Sequence, residues 1–142
     1  MKLDQAGRHF IEQNEGLRLH VYHDSGDVLT IGYGHTGKKV HLDMQITEEE
    51  ADKLFSHDVE WAERAVNTYV TIEITQNQFN ALVDFVFNLG ANALHGSTLL
   101  RKLNAGDIVS AAGQFKLWCH VNHRVNNGVL ARRKRNKELF LT

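Results

Sequence analysis

Apolar residues recur at helical spacing along most of this chain, and they alternate with polar residues in one stretch near its start. The spacing predicts a first helix from Leu3 to Asn14, with Asp4 as its N-cap. Gly16 stands just after this helix, where a left-handed backbone commonly ends a helix. The alternating stretch follows directly, so a change from helix to strand is expected there.

Residues 17–23 and 28–33 alternate between apolar and polar side chains, and the turn-forming sequence DSGD at 24–27 separates them. The pattern predicts a β-hairpin with one apolar face. The period of two places Asp24 and Thr30 on the faces away from the core, across the turn from each other.

Two capping boxes open the longer helices farther along the chain. Thr47 and Glu50 have the spacing of the first box, ahead of an apolar stripe that predicts one helix of about five turns. Thr75 and Gln78 form the second box, and Gly90 should end that helix. Further helices are predicted for residues 99–106, 108–121 and 130–140.

These elements predict a single domain of the mostly helical α+β class. It should have a small lobe built on the hairpin, a larger helical lobe and a long helix that joins them. A cleft between the lobes, bordered by Glu15, is the expected binding site. The predicted boundaries within residues 1–142 are about 15–46 for the hairpin lobe, about 1–14 and 67–142 for the helical lobe, and about 47–66 for the connecting helix.

The composition excludes some functions but does not identify one. The net charge is −1 and the isoelectric point is about 6.7, so the chain lacks the positive field of a general nucleic-acid binder. The basic run RRKR at 132–135 lacks interleaved aromatic residues, and a solvated or anion-facing surface is expected there. Cys119 is the only cysteine, which excludes an intramolecular disulfide.

The sequence pattern predicts neither an export signal at the start of this sequence nor a zinc site. The first residues contain no apolar run as long as a signal peptide or membrane anchor requires, so stable membrane insertion is not expected. The pairs His20 and His23, and His120 and His123, lack the companion ligands of a zinc site. We therefore expect neither a metal nor a cofactor.

Three side chains near the hairpin carry the candidate chemistry. Glu15 ends the first helix, where the helix dipole disfavours an ionised carboxylate, and a general acid requires a neutral one. Asp24 lies in a polar turn that suits an anion, and Thr30 is placed to hold a water molecule. Such a pair of carboxyl groups is the minimum for cleaving a glycosidic bond. As isolated residues, however, Glu15 and Asp24 fit a helix end and a turn start better.

The spacing of these three residues within EGLRL and TIGYGH resembles the catalytic signature of the phage lysozyme family, glycoside hydrolase family 24. The likeness continues in ITQNQFNALVDFVFNLG, STLLRKLNAGD and GVLARR, and it covers nearly the whole chain. One departure is Asn136, where the family often has a glutamate.

The resemblance implies a lysozyme-like fold and a role for each matching residue. Glu15 would be the general acid, Asp24 would assist the attacking water, and Thr30 would help to position that water. The resemblance also implies that His35 holds the hairpin near the acid. Asn88 would bind the acetamido group of a sugar.

The implied function is that of a phage endolysin, a muramidase that hydrolyses the β-1,4 bond of peptidoglycan with inversion. It would act as a monomer without a nucleic-acid partner, accumulate in the host cytoplasm, and reach periplasmic peptidoglycan after a holin opens the membrane. Two alternatives remain open. A lytic transglycosylase would cut the same bond without water, and a catalytically silent module would only bind the wall.

Overall fold

The computed structural model describes all 142 residues and contains eight α-helices and two small antiparallel sheets. The predicted α+β class, mostly helical with a small hairpin, is confirmed. None of the helices has the length and hydrophobicity that crossing a membrane would require. The elements are α1 (Gln5–Glu15), β1 (Arg18–His23), β2 (Leu29–Gly32), α2 (Glu48–Asp58), α3 (Glu60–Tyr69), α4 (Gln76–Leu89), α5 (Ala91–His95), α6 (Thr98–Asn104), α7 (Ile108–Gln114), β3 (His120–Val121), β4 (Arg124–Val125) and α8 (Asn127–Phe140).

The chain divides into two compact units. One, the hairpin unit, consists of residues 9–60, and the other, the helical unit, consists of residues 1–8 and 61–142. The hairpin unit contains the end of α1, the β1–β2 hairpin and α2.

Helix α1 begins and ends as its sequence predicts. Oδ1 of Asp4 accepts a hydrogen bond of 2.8 Å from the backbone N–H of Gly7, as an N-cap does. Gly16 follows the last helical residue with φ of 75°, and its N–H donates to the carbonyl of Glu12. A residue with a Cβ would be strained at this dihedral angle, so glycine fixes where the helix stops.

The hairpin pairs Tyr22 with Thr30 and His23 with Leu29, and its register shifts between Arg18 and Tyr22. Strand β2 packs against α2. Ile31 is fully buried, and Thr30 and the glycine that ends the strand are buried as well. Strand β2 is therefore covered on both faces, whereas the sequence pattern predicted burial on one.

The helix predicted for residues 47–66 is two helices in the structure, α2 and α3. The predicted capping box is confirmed, because Thr47 and Glu50 bond to each other's backbone N–H groups. Helix α2 ends at Asp58, and the N–H of Val59 donates to the carbonyls of both Phe55 and His57. Val59 therefore keeps the regular helical bond to Phe55 and is the single residue between α2 and α3.

Helix α4 is the central element of the helical unit and packs along α8. Thr75 and Gln78 form the predicted capping box, and Gly90 ends the helix with φ of 98°. The buried stripe is apolar and aromatic, and Phe85 meets Phe115 edge to face with ring centres 5.7 Å apart. The fully buried side chains of the stripe include Phe79, Leu82, Val83, Phe85 and Val86.

The helix predicted for residues 108–121 ends earlier than expected, at Gln114. A single turn of 3-10 helix follows over Phe115–Leu117, and β3 and β4 then form a second hairpin. The turn of that hairpin has positive φ at both Asn122 (51°) and His123 (65°), as a type I′ turn requires. The usual second residue of such a turn is glycine, so the sequence Asn-His gave a weak signal.

The solvated or anion-facing surface predicted for the basic run RRKR is present in part, since two of its residues are exposed and two are buried. Lys134 and Arg135 are exposed, but Arg132 is only 8% exposed and Arg133 is fully buried. Arg132 makes a two-point ion pair with Asp84, with its Nη2 2.7 Å from Oδ1 of that residue. Arg132 thus faces an anion, but its burial was not predicted because Asp84 lies 48 positions earlier in the chain, beyond any local pattern.

Candidate active site

Glu15, the predicted acid, is the last residue of α1 and is half-buried. Its carboxylate lies against the turn that follows β2, since a Cβ placed on Gly34 would be 3.4 Å from its Oε2. Gly34 has φ of 81°, a conformation that L residues rarely adopt. Glycine therefore suits this position because it permits the turn beside which the carboxylate lies.

Asp24, the predicted partner, organises the turn of the first hairpin. Its Oδ1 accepts hydrogen bonds of 2.8 Å from the N–H groups of both Gly26 and Val28. The side chain is exposed, and its Oδ2 makes no hydrogen bond. One oxygen thus fixes the carboxylate, and the other is available to accept a hydrogen bond from water.

Thr30 is attached to the same turn. Its hydroxyl donates a hydrogen bond of 2.9 Å to the carbonyl of Val28. Val28 therefore holds both Asp24, through its N–H, and Thr30, through its carbonyl. Because the hydroxyl proton is occupied, Thr30 presents lone pairs, and these can accept a hydrogen bond from a water molecule. The side chain is 3% exposed, so the predicted exposed position on the strand is wrong.

His35 belongs to a tight turn that ends beside Glu15. Its backbone pairs with Ile31 through two hydrogen bonds of 2.8 and 2.9 Å. Its ring Nδ1 lies 2.6 Å from Oδ2 of Asp58, the last residue of α2. Since the turn includes Gly34, this contact supports the segment against which Glu15 lies. Asp58 was missed by sequence reasoning because it is 23 positions away and only its contact reveals it.

Asn88 lies in the helical unit, near the end of α4, and is exposed. Its Oδ1 accepts a hydrogen bond of 2.7 Å from Nη2 of Arg133. The guanidinium of Arg133 in turn lies over the ring of Phe85, 5.3 Å from its centre. The amide nitrogen of Asn88 makes no hydrogen bond to the protein, so it can donate to a carbonyl oxygen of a ligand.

The structure therefore brings four of the five predicted residues into one unit. Asp24 and Thr30 share the backbone of Val28, and Glu15 lies against the turn that His35 closes. Chemically, the hairpin unit offers a half-buried carboxyl group, an exposed carboxylate and a hydroxyl acceptor. These are the groups for acid catalysis with an activated water.

This chain is similar to known proteins over nearly its whole length. A family model described as phage lysozyme matches residues 12–136. The endolysin of Salmonella phage P22 is 38% identical over 146 residues, covering 100% of this chain and 99% of that protein. A crystal structure of a P22 lysozyme mutant matches with a TM-score of 0.93 and 38% identity over 100% of this chain and 99% of that chain.

A second endolysin and a muramidase domain are also similar to this chain. The endolysin of Bacillus phage B103 is 42% identical over 144 residues, covering 100% of this chain and 55% of that protein. This chain thus spans about half the length of the B103 protein. The muramidase domain of SpmX from Asticaccaulis excentricus matches with a TM-score of 0.91 and 37% identity over 99% of this chain and 98% of that chain.

Proposed function

This chain belongs to the phage lysozyme family, and we propose that it hydrolyses the β-1,4 bond between N-acetylmuramic acid and N-acetylglucosamine in bacterial peptidoglycan. The observation that carries the proposal is the joint attachment of Asp24 and Thr30 to Val28. This attachment fixes the positions of two oxygen acceptors relative to each other, as the positioning of one water molecule requires.

In the proposed reaction Glu15 donates its proton to the bridging oxygen, which leaves with the electron pair of the broken bond. A water molecule attacks the anomeric carbon from the opposite side of the sugar. Oδ2 of Asp24 accepts a hydrogen bond from this water and takes up the proton that it loses. Thr30 accepts the second hydrogen of the water and so orients its lone pair toward the carbon.

Attack by water in one step inverts the anomeric configuration. Inversion requires carboxyl groups about 6.5–9.5 Å apart, whereas a separation near 5 Å suits a covalent intermediate. Proton NMR of the first product formed from a soluble glycan would identify its anomer. We expect the α-anomer from the β-linked substrate, and an initial β-anomer would replace the single-step mechanism by a double displacement.

The main experiment compares Glu15→Gln and Asp24→Asn with the wild type on Gram-negative cells whose outer membrane has been permeabilised. We expect lysis to fall by at least about a hundredfold in each variant, because each loses a proton-transfer group. The amide oxygen that Asp24→Asn introduces can still accept from Gly26 and Val28, so the turn should keep its shape. Circular dichroism checks that both variants fold.

Asp43→Asn is the matched control, since it removes an exposed negative charge from the same unit outside the candidate site. It should lyse cells at the wild-type rate. Full lysis by folded Glu15→Gln would overturn the proposal. Anhydro-muramic ends in the digested glycan, detected by mass spectrometry, would replace hydrolysis by transglycosylation, and binding to sacculi without any loss of turbidity would indicate a silent module.

The same proposal extends to the substrate contact of Asn88 and to cellular release. Asn88 would donate its amide hydrogen to the acetamido carbonyl of a sugar. The protein would accumulate in the host cytoplasm as a monomer and reach periplasmic peptidoglycan through a holin pore. Light scattering should then give a mass of 16.1 kDa, and expression without a pore should leave cells intact until the inner membrane is permeabilised.

A further inference from the structure

The hairpin presents one cation close to the candidate catalytic residues. Arg18, the first residue of β1, places its guanidinium carbon 4.9 Å from the centre of the Tyr22 ring. Tyr22 is paired with Thr30 across the hairpin, and opposed residues of an antiparallel pair project from the same face. The guanidinium therefore lies on the Thr30 face, over the residue that stands two positions before Asp24.

This cation stands in an acidic part of the chain. Residues 9–60 contain eleven Asp and Glu side chains but only four Lys and Arg side chains. Between residues 9 and 37, Arg18 is the only Lys or Arg. An anionic substrate would be repelled by this unit unless a fixed positive charge offset the repulsion at the site.

We propose that Arg18 binds a carboxylate of the peptidoglycan strand beside the candidate catalytic residues, and that Tyr22 positions Arg18 for this contact. The inference rests on the proposed function and adds a specificity to it, namely a preference for glycan that carries carboxylates. N-acetylmuramic acid provides them in two ways. Its lactyl carboxyl group is free, or it is joined to a stem peptide that has carboxylates of its own.

The chemistry of the pair favours this role over that of a simple surface charge. A guanidinium is planar and offers parallel N–H donors that match the two oxygens of a carboxylate. Stacking on the Tyr22 ring limits the side chain to fewer conformations, so less entropy is lost when a carboxylate binds. Arg18 is exposed, which leaves its outward N–H groups accessible to a ligand.

The experiment measures KM and kcat on two soluble substrates, native glycan with stem peptides and the same material after its carboxyl groups have been converted to neutral amides. For Arg18→Gln on native glycan we expect KM to rise about fivefold, the effect of one partly exposed ion pair, with kcat nearly unchanged. The wild type should show a similar rise in KM when the substrate is amidated. On amidated glycan the variant and the wild type should have equal KM values.

Four further variants test the geometry. Lys53→Gln removes an exposed cation from the same unit outside the hairpin and should behave as the wild type. Tyr22→Phe keeps the stacking ring and should retain a low KM, whereas Tyr22→Leu should raise KM on native glycan only. Arg18→Lys keeps the charge without the planar fork and should recover only part of the loss.

Peptide-free glycan, which carries only lactyl carboxylates, identifies the source of the bound group. The stem peptide converts the lactyl carboxyl into an amide, so the effect on native glycan reports the carboxylates of the stem. A persistent difference between Arg18→Gln and the wild type on peptide-free glycan shows that Arg18 also binds a free lactyl carboxylate, and its disappearance shows that Arg18 binds the stem peptide alone. An Arg18→Gln variant with an unchanged KM, or with the same loss on native and amidated glycan, would overturn the inference.

Failure of the inference can be distinguished from failure of the proposed function. If the wild type cleaves native glycan and Glu15→Gln does not, the proposed function holds whatever Arg18 does. If the wild type cleaves none of the substrates, or Glu15→Gln cleaves them fully, the proposed function fails and the proposal for Arg18 fails with it.

Discussion

Polar side chains are held in different ways in the two units of this molecule. In the hairpin unit, Asp24 and Thr30 bond to the backbone of one turn, and Asp24 keeps one oxygen exposed to a ligand. In the helical unit, Asp84 is fully buried and receives hydrogen bonds from Arg132 and Asn136. Aspartate thus takes part in a proposed reaction in the hairpin unit, whereas in the helical unit it holds α4 and α8 together.

Burial explains this difference. A buried charge without a partner is costly, so the Asp84 side chain depends on the Arg132 guanidinium and the Asn136 amide that bond to it. An exposed carboxylate such as Asp24 keeps its interaction with water and can exchange it for a substrate. Reactivity should therefore depend on the hairpin unit, and stability should depend most on the buried pair.

The largest effect on stability is expected from Arg132→Met. The change leaves the Asp84 carboxylate buried without its ion-pair partner and should lower the free energy of unfolding by about 3–5 kcal/mol. Urea titration followed by circular dichroism measures the change. Lys134→Met is the control on the same helix, because Lys134 is exposed and its loss should cost less than about 0.5 kcal/mol.

A second variant separates the loss of the ion pair from the presence of a buried carboxylate that has lost Arg132. Adding Asp84→Leu to Arg132→Met removes this carboxylate, and the double variant should be more stable than Arg132→Met alone. A double variant that is less stable by the sum of the two single losses would contradict this account of Asp84.

The sequence predicted the helix caps, the end of α1 and the first hairpin well. Both capping boxes, the N-cap Asp4 and the stop at Gly16 were confirmed because each depends on residues a few positions apart. The first hairpin was predicted from alternation and from the turn sequence that contains Asp24. Such signals survive without knowledge of the rest of the fold.

Contacts between distant residues were not predictable in the same way. The burial of Arg132 depends on Asp84, and the support for the turn at His35 depends on Asp58. Neither the spacing nor the residue type identifies Asp84 or Asp58 as the partner in these contacts. The candidate residues Glu15, Asp24 and Thr30 were identified through a family resemblance, since their spacing alone favoured ordinary structural roles.

His35 offers a direct test of how burial affects the contribution of a side-chain contact to the free energy of unfolding. His35 and His23 each lie within 3 Å of an aspartate, but the His35–Asp58 side chains are 19% and 24% exposed, against 54% and 88% for His23–Asp27. We expect His35→Asn to cost about 1.5 kcal/mol and His23→Asn to cost almost nothing. Urea unfolding of both variants provides the comparison.

The effect of His35→Asn should depend on its partner. In an Asp58→Asn background the same substitution should cost much less, because the contact is already lost. Equal losses in both backgrounds would show that the His35 side chain stabilises the protein through contacts other than the one with Asp58.

Alanine substitutions at one glycine in each unit compare a position that requires positive φ with one that does not. Gly16→Ala places a Cβ at φ of 75° and should cost about 1 kcal/mol through strain, although the space around it is open. Gly113 lies within α7, where a Cβ would also meet nothing within 4 Å. Gly113→Ala should therefore stabilise the protein by about 0.5–1 kcal/mol. Thermal unfolding measures both shifts, and shifts of the same sign would refute the assignment.

The smallest effect is expected at Asp107, the N-cap of α7. The side-chain and backbone hydrogen bonds with Ser110, with a contribution from Lys102, lower the pKa of Asp107 below its ordinary value of 3.8. A carboxyl group with a lowered folded-state pKa stabilises the protein above its unfolded-state pKa, and this contribution is lost as the pH falls through the folded-state value. Asp107→Asn keeps a capping oxygen but cannot titrate. The wild type should therefore melt slightly above the variant at pH 7, and the difference should vanish once the pH is below the folded-state pKa of Asp107. A gap that widens as the pH falls would show that the Ser110 contacts favour the neutral acid.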